Sequence, residues 1–317
     1  FKDFGARFMS RLMSYFISRQ QSSNPKQKNS KITILVATSG DTGSAVASGF
    51  YKVPNIDVII LYPSGKVSKI QEMQITTMGE NITTLEVSGV FDDCQALVKK
   101  AFVDEDLKTK MSLSSANSIN IARLIPQSFY YFHAYAQLKR KNPDTKAPVF
   151  VVPSGNFGNL TAGLFAKKMG LPVHKFVAAT NANDTFPRYL KSGNYQAKAS
   201  VATISNAMDV GNPSNFARMQ ELFPTNEKMK EHIASYSFSD EETKTAMSKI
   251  QAETGYTLEP HGAVAYLGLE KFKKLTQKEQ FSPTIAKASS EENPAIILET
   301  AHPAKFEEAV NIALKKS

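Results

Sequence analysis

Twice in this chain a short, unbroken apolar run ends in a turn of small polar residues that opens directly into a helical pattern. These stretches are KITILVATSGDTGSAVA from residue 31 and APVFVVPSGNFGNLTAG from residue 147. Continuous β-branched runs of this length read as strands buried on both faces. Such strands, alternating with helices, imply parallel sheets covered by helices on either side. The alternation continues around both stretches. In the first, strands are predicted at 31–37, 56–63 and 81–89, with helices at 41–52, 68–79 and a single amphipathic helix over 91–110. A long helix over 117–140, kinked at Pro126, separates the two runs. In the second, strands at 147–153 and 173–180 flank a helix at 159–170, Ser239 caps a helix at 240–255 with Glu242 completing a capping box, and 294–316 close the chain as strand, loop and helix.

Ahead of this pattern, Phe4, Phe8, Leu12 and Phe16 recur at helical spacing and predict a helix over 3–20, followed by the polar connector RQQSSNPKQKNSK. The 317 residues suffice for two α/β domains with a cleft between them. The expected division is 1–30 as a helix and connector belonging to the large domain, 31–130 as a smaller α/β domain, and 131–317 as the large α/β domain.

The two turns invite an anion. Exposed N–H groups at a helix start attract carboxylate or phosphate, and the helix dipole adds roughly half a positive charge there. In residues 37–45, Ser39, Thr42 and Ser44 supply hydroxyls while Gly40 and Gly43 allow tight turning; an ordinary strand–helix turn capped by Asp41 or Thr42 is the plainer reading. A nicotinamide-binding turn needs three glycines and an acid at the end of the next strand, which here ends Leu61-Tyr62-Pro63. In residues 151–163, Ser154 to Asn159 offer small residues, a hydroxyl and two amides. No Walker A pattern occurs in the chain.

A net charge of +9 suits an anionic partner, but the basic pairs are scattered over predicted helix faces and no nucleic-acid-binding signature accompanies them. No apolar run approaches the roughly 20 residues of a membrane span. The one cysteine, Cys94, excludes an internal disulfide and fits a reducing compartment. His133 reads as core. His261 and His302 flank loop segments without the partners of a catalytic triad, and no cluster suggests a metal. A phosphate-bearing cofactor that needs an amine is pyridoxal phosphate, and Lys2, between Phe1 and Phe4, has the most apolar local setting among the basic residues. By context alone a lysine with a buried stem and a wet amine is the plainer reading.

Taken in order, FKDFGARF, ATSGDTGSAVA, NSIN, PSGNFGN, SNAMDVGNPSNF and TAHPAKF resemble the threonine synthase family, from the first residue to the C-terminus. The resemblance implies the fold-type II scaffold of pyridoxal-phosphate-dependent enzymes, tryptophan synthase β-like, with two α/β domains and parallel-rich sheets. It implies that Lys2 bonds covalently to the cofactor and serves as the catalytic base. Gly155, Asn156, Phe157, Gly158 and Asn159 would cradle the cofactor phosphate, and the Thr300 hydroxyl would face the pyridine nitrogen. Ser39, Gly40, Thr42 and Gly43 would meet the substrate α-carboxylate, with Asp41 turned away. Asn117, Ser118, Asn120 and Arg123, together with Arg188, Ser214 and Asn215, would receive the substrate phosphate.

The implied reaction converts O-phospho-L-homoserine and water to L-threonine and phosphate, in the cytoplasm and in a protein favoured to be a monomer, with neither nucleic acid nor membrane as partner. A phospho-lyase releasing 2-oxobutyrate from the same substrate would carry the same residues. A non-catalytic anion-binding protein is the reading from another class. Family members carry a segment before the lysine motif, so a chain opening on Phe1 is expected to lack an upstream part.

Overall fold

The computed structural model describes residues 1–23, 31–280 and 293–315, so residues 24–30 of the polar connector and Lys316 lie outside the described residues. The chain divides into two units, Phe1–Gln127 and Ser128–Ser317.

The first unit is built on a four-stranded parallel sheet of β1 (Ile32–Ala37), β2 (Ile56–Pro63), β3 (Ile82–Val87) and β4 (Ser112–Ser115), in the order β3-β2-β1-β4. Its helices are α1 (Lys2–Ser23), α2 (Asp41–Phe50), α3 (Lys69–Thr76), α4 (Phe91–Val103), α5 (Glu105–Lys110) and the short α6 (Ile121–Leu124). Ile34 and Val36 of β1 join Val58 and Ile60 of β2 in one core with Val46, Ala47 and Phe50 of α2. The predicted helix at the start of the chain belongs here and not with the larger unit. Met9 and Ile17 of α1 bury into this core at about 1.5–3 kcal/mol each. At Gly49 a Cβ would lie 3.0 Å from Ala6, so α1 and α2 approach to backbone contact.

Two long helices expected from the sequence are broken. Residues 91–110 form α4 and α5, because Asp104 adopts an extended conformation and its carboxylate accepts the Leu107 N–H at 3.0 Å, starting a new helix. Residues 117–140 begin as a turn in which Asn120 caps α6, pass through a 3-10 turn at Ile125–Gln127 containing Pro126, and become helical again in α7 (Ser128–Lys141). Strand β4, absent from the expected elements, lies just before this turn. His133 is exposed on α7 and is not core.

The second unit repeats the plan with β5 (Val149–Pro153), β6 (Lys175–Thr180), β7 (Ile233–Ser237) and β8 (Ala295–Ile297), all parallel, in the order β7-β6-β5-β8. Between them run α8 (Gly158–Lys168), α9 (Thr185–Ser192), a 3-10 turn at Asn206–Met208, α10 (Phe216–Leu222), α11 (Asn226–His232), α12 (Asp240–Thr254) and α13 (Pro260–Gln280). A 3-10 turn at Pro303–Phe306 and α14 (Glu307–Leu314) follow β8. Ala265 of α13 packs on Val149, Val151 and Val177. Elsewhere in the unit, Tyr131 of α7 meets Phe150 edge-on at 5.0 Å, and Gly163 of α8 leaves room for its ring, where a Cβ would come within 2.6 Å. The unit boundary at 127/128 falls three residues before the expected 130/131. None of the described helices is long and apolar enough to cross a membrane.

Candidate active site

Both sheets reverse direction at one point. From β1 the chain steps outward to β2 and β3 and then returns to the other side of β1 for β4; from β5 it steps to β6 and β7 and returns for β8. Ligands of open α/β sheets bind at the carboxyl ends of strands flanking such a reversal. The turn at residues 38–43 and the turn at 116–120 flank the first reversal, whereas residues 154–159 and Thr300 flank the second.

In the first unit, the turn after β1 is organised by Thr38, which belongs to none of the residues singled out from the sequence. Its Oγ1 accepts the N–H groups of Gly40 at 2.9 Å and Gly43 at 2.8 Å. Gly40 has φ +131°, and a Cβ there would meet the Gln71 side chain at 2.5 Å. Asp41 is buried and accepts from Gln71 Nε2 at 3.1 Å, while Gly40, with no side chain to offer, stands at the cap position of α2. The carboxylate thus turns toward α3. Ser39 is buried and Thr42 half-buried, and among the described residues their hydroxyls make no hydrogen bond. Ser39, Gly40, Thr42 and Gly43 therefore sit together in one strand–helix turn, with two hydroxyls to offer a ligand.

Across the reversal, Asn117 and Asn120 are engaged by the backbone. Asn117 exchanges two bonds with Ala37; Asn120 donates to the Ser115 carbonyl at 2.9 Å and accepts the Ala122 N–H at 3.0 Å. Ser118 is half-buried in the same turn. Arg123 is only 2% exposed and packs on α1, where a Cβ at Gly5 would lie 2.9 Å from its carbonyl oxygen and 3.4 Å from Nε. Lys2 is half-buried in the first turn of that same helix; of its apolar neighbours Phe1 is half-buried, while Phe4 is 41% exposed.

In the second unit, Phe157 adopts a left-handed conformation, φ +59° and ψ +13°, at the cap position of α8, so the chain turns sharply into the helix start. Gly155 has no room for a side chain, since a Cβ would lie 2.5 Å from the Cα of Met208. Asn156 is tied down by Ser214 and Asn215: its Oδ1 accepts from Ser214 N–H and Oγ, and its carbonyl accepts from Asn215 Nδ2 at 2.8 Å. Asn215 in turn accepts from Arg218 Nη1 at 2.8 Å. Asn159 accepts the Tyr131 hydroxyl proton at 2.7 Å on its Oδ1, while its Nδ2 is buried with no partner among the described residues. An orphaned buried donor beside Gly158, the first residue of an 11-residue helix, is what a phosphate would satisfy. The residues present fit the phosphate handle of pyridoxal phosphate.

Thr300, half-buried, follows β8 by three residues. Glu299, just before it, is pushed up to about 7 by burial and by the neighbouring Glu259. Ser214 and Asn215, expected to join the substrate-phosphate group, brace the Gly155–Asn159 turn. Arg188 is ion-paired with Asp184 at 2.9 Å, donates to the Gln196 carbonyl, and lines a cavity of about 1060 Å³ beside β7 that includes none of residues 155–159, 214, 215 or 300. His261 does have an acid partner, Glu259, 2.6 Å from its Nδ1, and His302 accepts the Ala304 N–H as a turn cap. Thr38, Gln71, Tyr131, Arg218 and Glu259 shape the turns and carry no motif of their own. Spacing alone reveals none of them.

The sequence profile described as pyridoxal-phosphate dependent enzyme matches residues 1–286, and that described as threonine synthase, C-terminal, matches residues 271–317. The chain is 51% identical over 310 residues to threonine synthase from Haemophilus influenzae, covering 98% of this chain and 66% of that protein. It overlays the crystal structure of threonine synthase from Escherichia coli with a TM-score of 0.84 and 47% identity, covering 100% of this chain and 67% of the other. It overlays the pyridoxal-phosphate-bound threonine synthase from Brucella melitensis with a TM-score of 0.81 and 34% identity, covering 99% and 67%. The chain thus spans about two thirds of the length of these relatives.

Proposed function

Because the chain belongs to the pyridoxal-phosphate dependent enzyme family, we propose that it carries the cofactor-binding and catalytic part of a threonine synthase, converting O-phospho-L-homoserine and water to L-threonine and phosphate. The observation that carries this reading is the half-identity to a threonine synthase along nearly the whole chain. The cytoplasm is the expected compartment. Cys94 is buried with its thiol pushed up to about 11, chiefly by that burial, as suits an unreactive packing residue.

Each group then has a task. The Gly155–Asn159 turn binds the cofactor phosphate, with Asn159 Nδ2 donating and the dipole of α8 aiding, while Ser214 and Asn215 keep Asn156 in place. Lys2 would hold the cofactor covalently through its amine. When bound, pyridoxal phosphate supplies the electron sink that lets the substrate's Cα–H bond break and phosphate leave from Cγ. The Lys2 amine takes the proton from Cα and then one from Cβ as phosphate leaves Cγ; it returns protons at Cγ and Cα, while water adds its hydroxyl at Cβ and its remaining proton ends on the phosphate. Thr300 offers the pyridine nitrogen a neutral hydroxyl where a carboxylate would hold that nitrogen protonated. Ser39 and Thr42 offer hydroxyls to the α-carboxylate.

The test is product analysis with O-phospho-L-homoserine and pyridoxal phosphate. Threonine released in step with phosphate is the expected outcome. 2-Oxobutyrate in its place assigns the lyase reaction, and no turnover with no binding of pyridoxal phosphate overturns the proposal.

A further inference from the structure

A buried polar chain in the second unit, outside the motifs that point to the cofactor, leads to the phosphate turn. Glu259 is fully buried just before α13. Its Oε2 accepts the His261 N–H at 2.9 Å and its Oε1 accepts the Gly262 N–H at 2.8 Å, so the carboxylate caps the helix start. The same Oε2 lies 2.6 Å from His261 Nδ1. On the other side of the ring, Nε2 lies 3.2 Å from the backbone nitrogen of Ala207. A backbone N–H can only donate, so Nε2 accepts, and the ring proton sits on Nδ1 facing the carboxylate. The imidazole is therefore neutral and fixed in one tautomer. Its face rests on Phe306, ring centroids 4.8 Å apart.

Ala207 lies in the 3-10 turn Asn206–Met208, and that turn is the wall against Gly155. A Cβ at Gly155 would stand 2.5 Å from Met208 Cα and 3.1 Å from the Ala207 carbonyl oxygen. We propose that His261 is a positioning residue for the phosphate turn: oriented by Glu259, it pins Ala207 through Nε2 and so sets the wall that shapes residues 155–159. A packing role alone would be met by an apolar residue, without the cost of burying a carboxylate and an imidazole together. The directed acceptor is what an apolar residue lacks.

This inference rests on the reading that the Gly155–Asn159 turn holds the cofactor phosphate, and the experiment separates the two. The probes are 4′-deoxypyridoxine 5′-phosphate and 4′-deoxypyridoxine, both without the aldehyde, so that Lys2 takes no covalent part. Affinities are measured by calorimetry for the chain and for His261→Leu, His261→Asn and His261→Gln; only Gln reaches as far as Nε2 with an acceptor.

The expected result is a loss of about tenfold or more for the phosphorylated probe in the Leu and Asn variants, with the unphosphorylated probe changed less than about twofold and Gln recovering most of the loss. The ³¹P resonance of the bound phosphorylated probe is expected to move in the Leu variant and return in the Gln variant. Should the Leu variant not fold, Asn against Gln makes the same comparison. Equal losses for both probes, or no loss at all, would overturn the positioning role. An unsubstituted chain that fails to bind the phosphorylated probe would overturn the phosphate reading, and this inference with it.

Discussion

Asn117 is bonded in both directions to Ala37: its Nδ2 donates to the Ala37 carbonyl at 2.7 Å and its Oδ1 accepts the Ala37 N–H at 3.0 Å. One side chain thus extends the β1–β4 ladder past its last paired residues, Leu35 and Ser115, at the point where the sheet reverses. Ala37 is 1% exposed, so water cannot replace those bonds. Asn117→Ala is expected to destabilise the chain by about 2–4 kcal/mol, two lost bonds with both backbone groups stranded. Asn117→Asp should not rescue it, because a carboxylate would face the Ala37 carbonyl. Urea unfolding midpoints check this, and a loss under about 0.5 kcal/mol would contradict the role.

Two glycines with positive φ separate backbone strain from crowding. Gly65 has φ +62° with nothing within 4 Å of where a Cβ would stand, whereas Gly40 combines φ +131° with the Gln71 side chain at 2.5 Å. Gly65→Ala is expected to cost about 1–2 kcal/mol, the left-handed penalty alone. Gly40→Ala should cost at least about 3 kcal/mol and weaken binding of the substrate carboxylate as well. Adding Gln71→Ala would relieve the crowding but not the φ, so only partial recovery is expected. Equal losses at the two glycines would refute the distinction.

Stability should fall as pH rises through the neutral range. Glu299 ionises near 4.5 in the unfolded chain and at about 7 in the folded one, so between those values the folded chain holds the extra proton. Its contribution is complete below about 4.5 and is lost as pH climbs through about 7, after which the curve flattens. Asp209, raised from 3.8 to about 7 chiefly by burial, adds a second falling limb of the same sign. Glu299→Gln is therefore expected to reduce the slope between pH 5 and 7 without abolishing it, and to stabilise the chain most at the alkaline end. An unchanged slope in urea titrations at several pH values would show that Glu299 ionises normally.

What could be read in the sequence is local. The predicted capping box at Ser239 is present, with Glu242 Oε2 accepting the Ser239 N–H at 2.8 Å, because all its partners lie within four residues. The two Gly-rich turns are visible because strand, turn and helix are contiguous. Strand β4 is not, because Ser112–Ser115 is mostly serine and is held by the backbone ladder to β1, some 80 residues earlier. The placement of α1 is illegible for a similar reason: its apolar residues announce a helix, and contacts distant in sequence, such as Ala6 against Gly49 and Met9 in the core of the first sheet, decide which sheet it covers. Asn117 and Asn120 look like ligand donors because an amide's use in capping or clamping depends on which backbone passes it. Glu259 and His261 are two residues apart, a spacing that does not share a helix face. They meet because Glu259 lies just outside α13 and turns back onto it.

Lys2 can be tested for chemistry apart from binding because 4′-deoxypyridoxine 5′-phosphate has no aldehyde for an amine to bond. Lys2→Ala is expected to leave the affinity for this probe nearly unchanged. Its effect is expected in the chemistry: loss of the near-visible absorbance of bound pyridoxal phosphate and a fall of at least about a thousandfold in threonine formation, as removal of a covalent and proton-carrying group entails. Lys2→Arg keeps the charge but cannot exchange its nitrogen with the substrate amine, so it should behave like Ala in both readouts. An arginine variant that retained turnover would assign Lys2 an electrostatic task, and the covalent and proton-transfer roles would have to move to another amine.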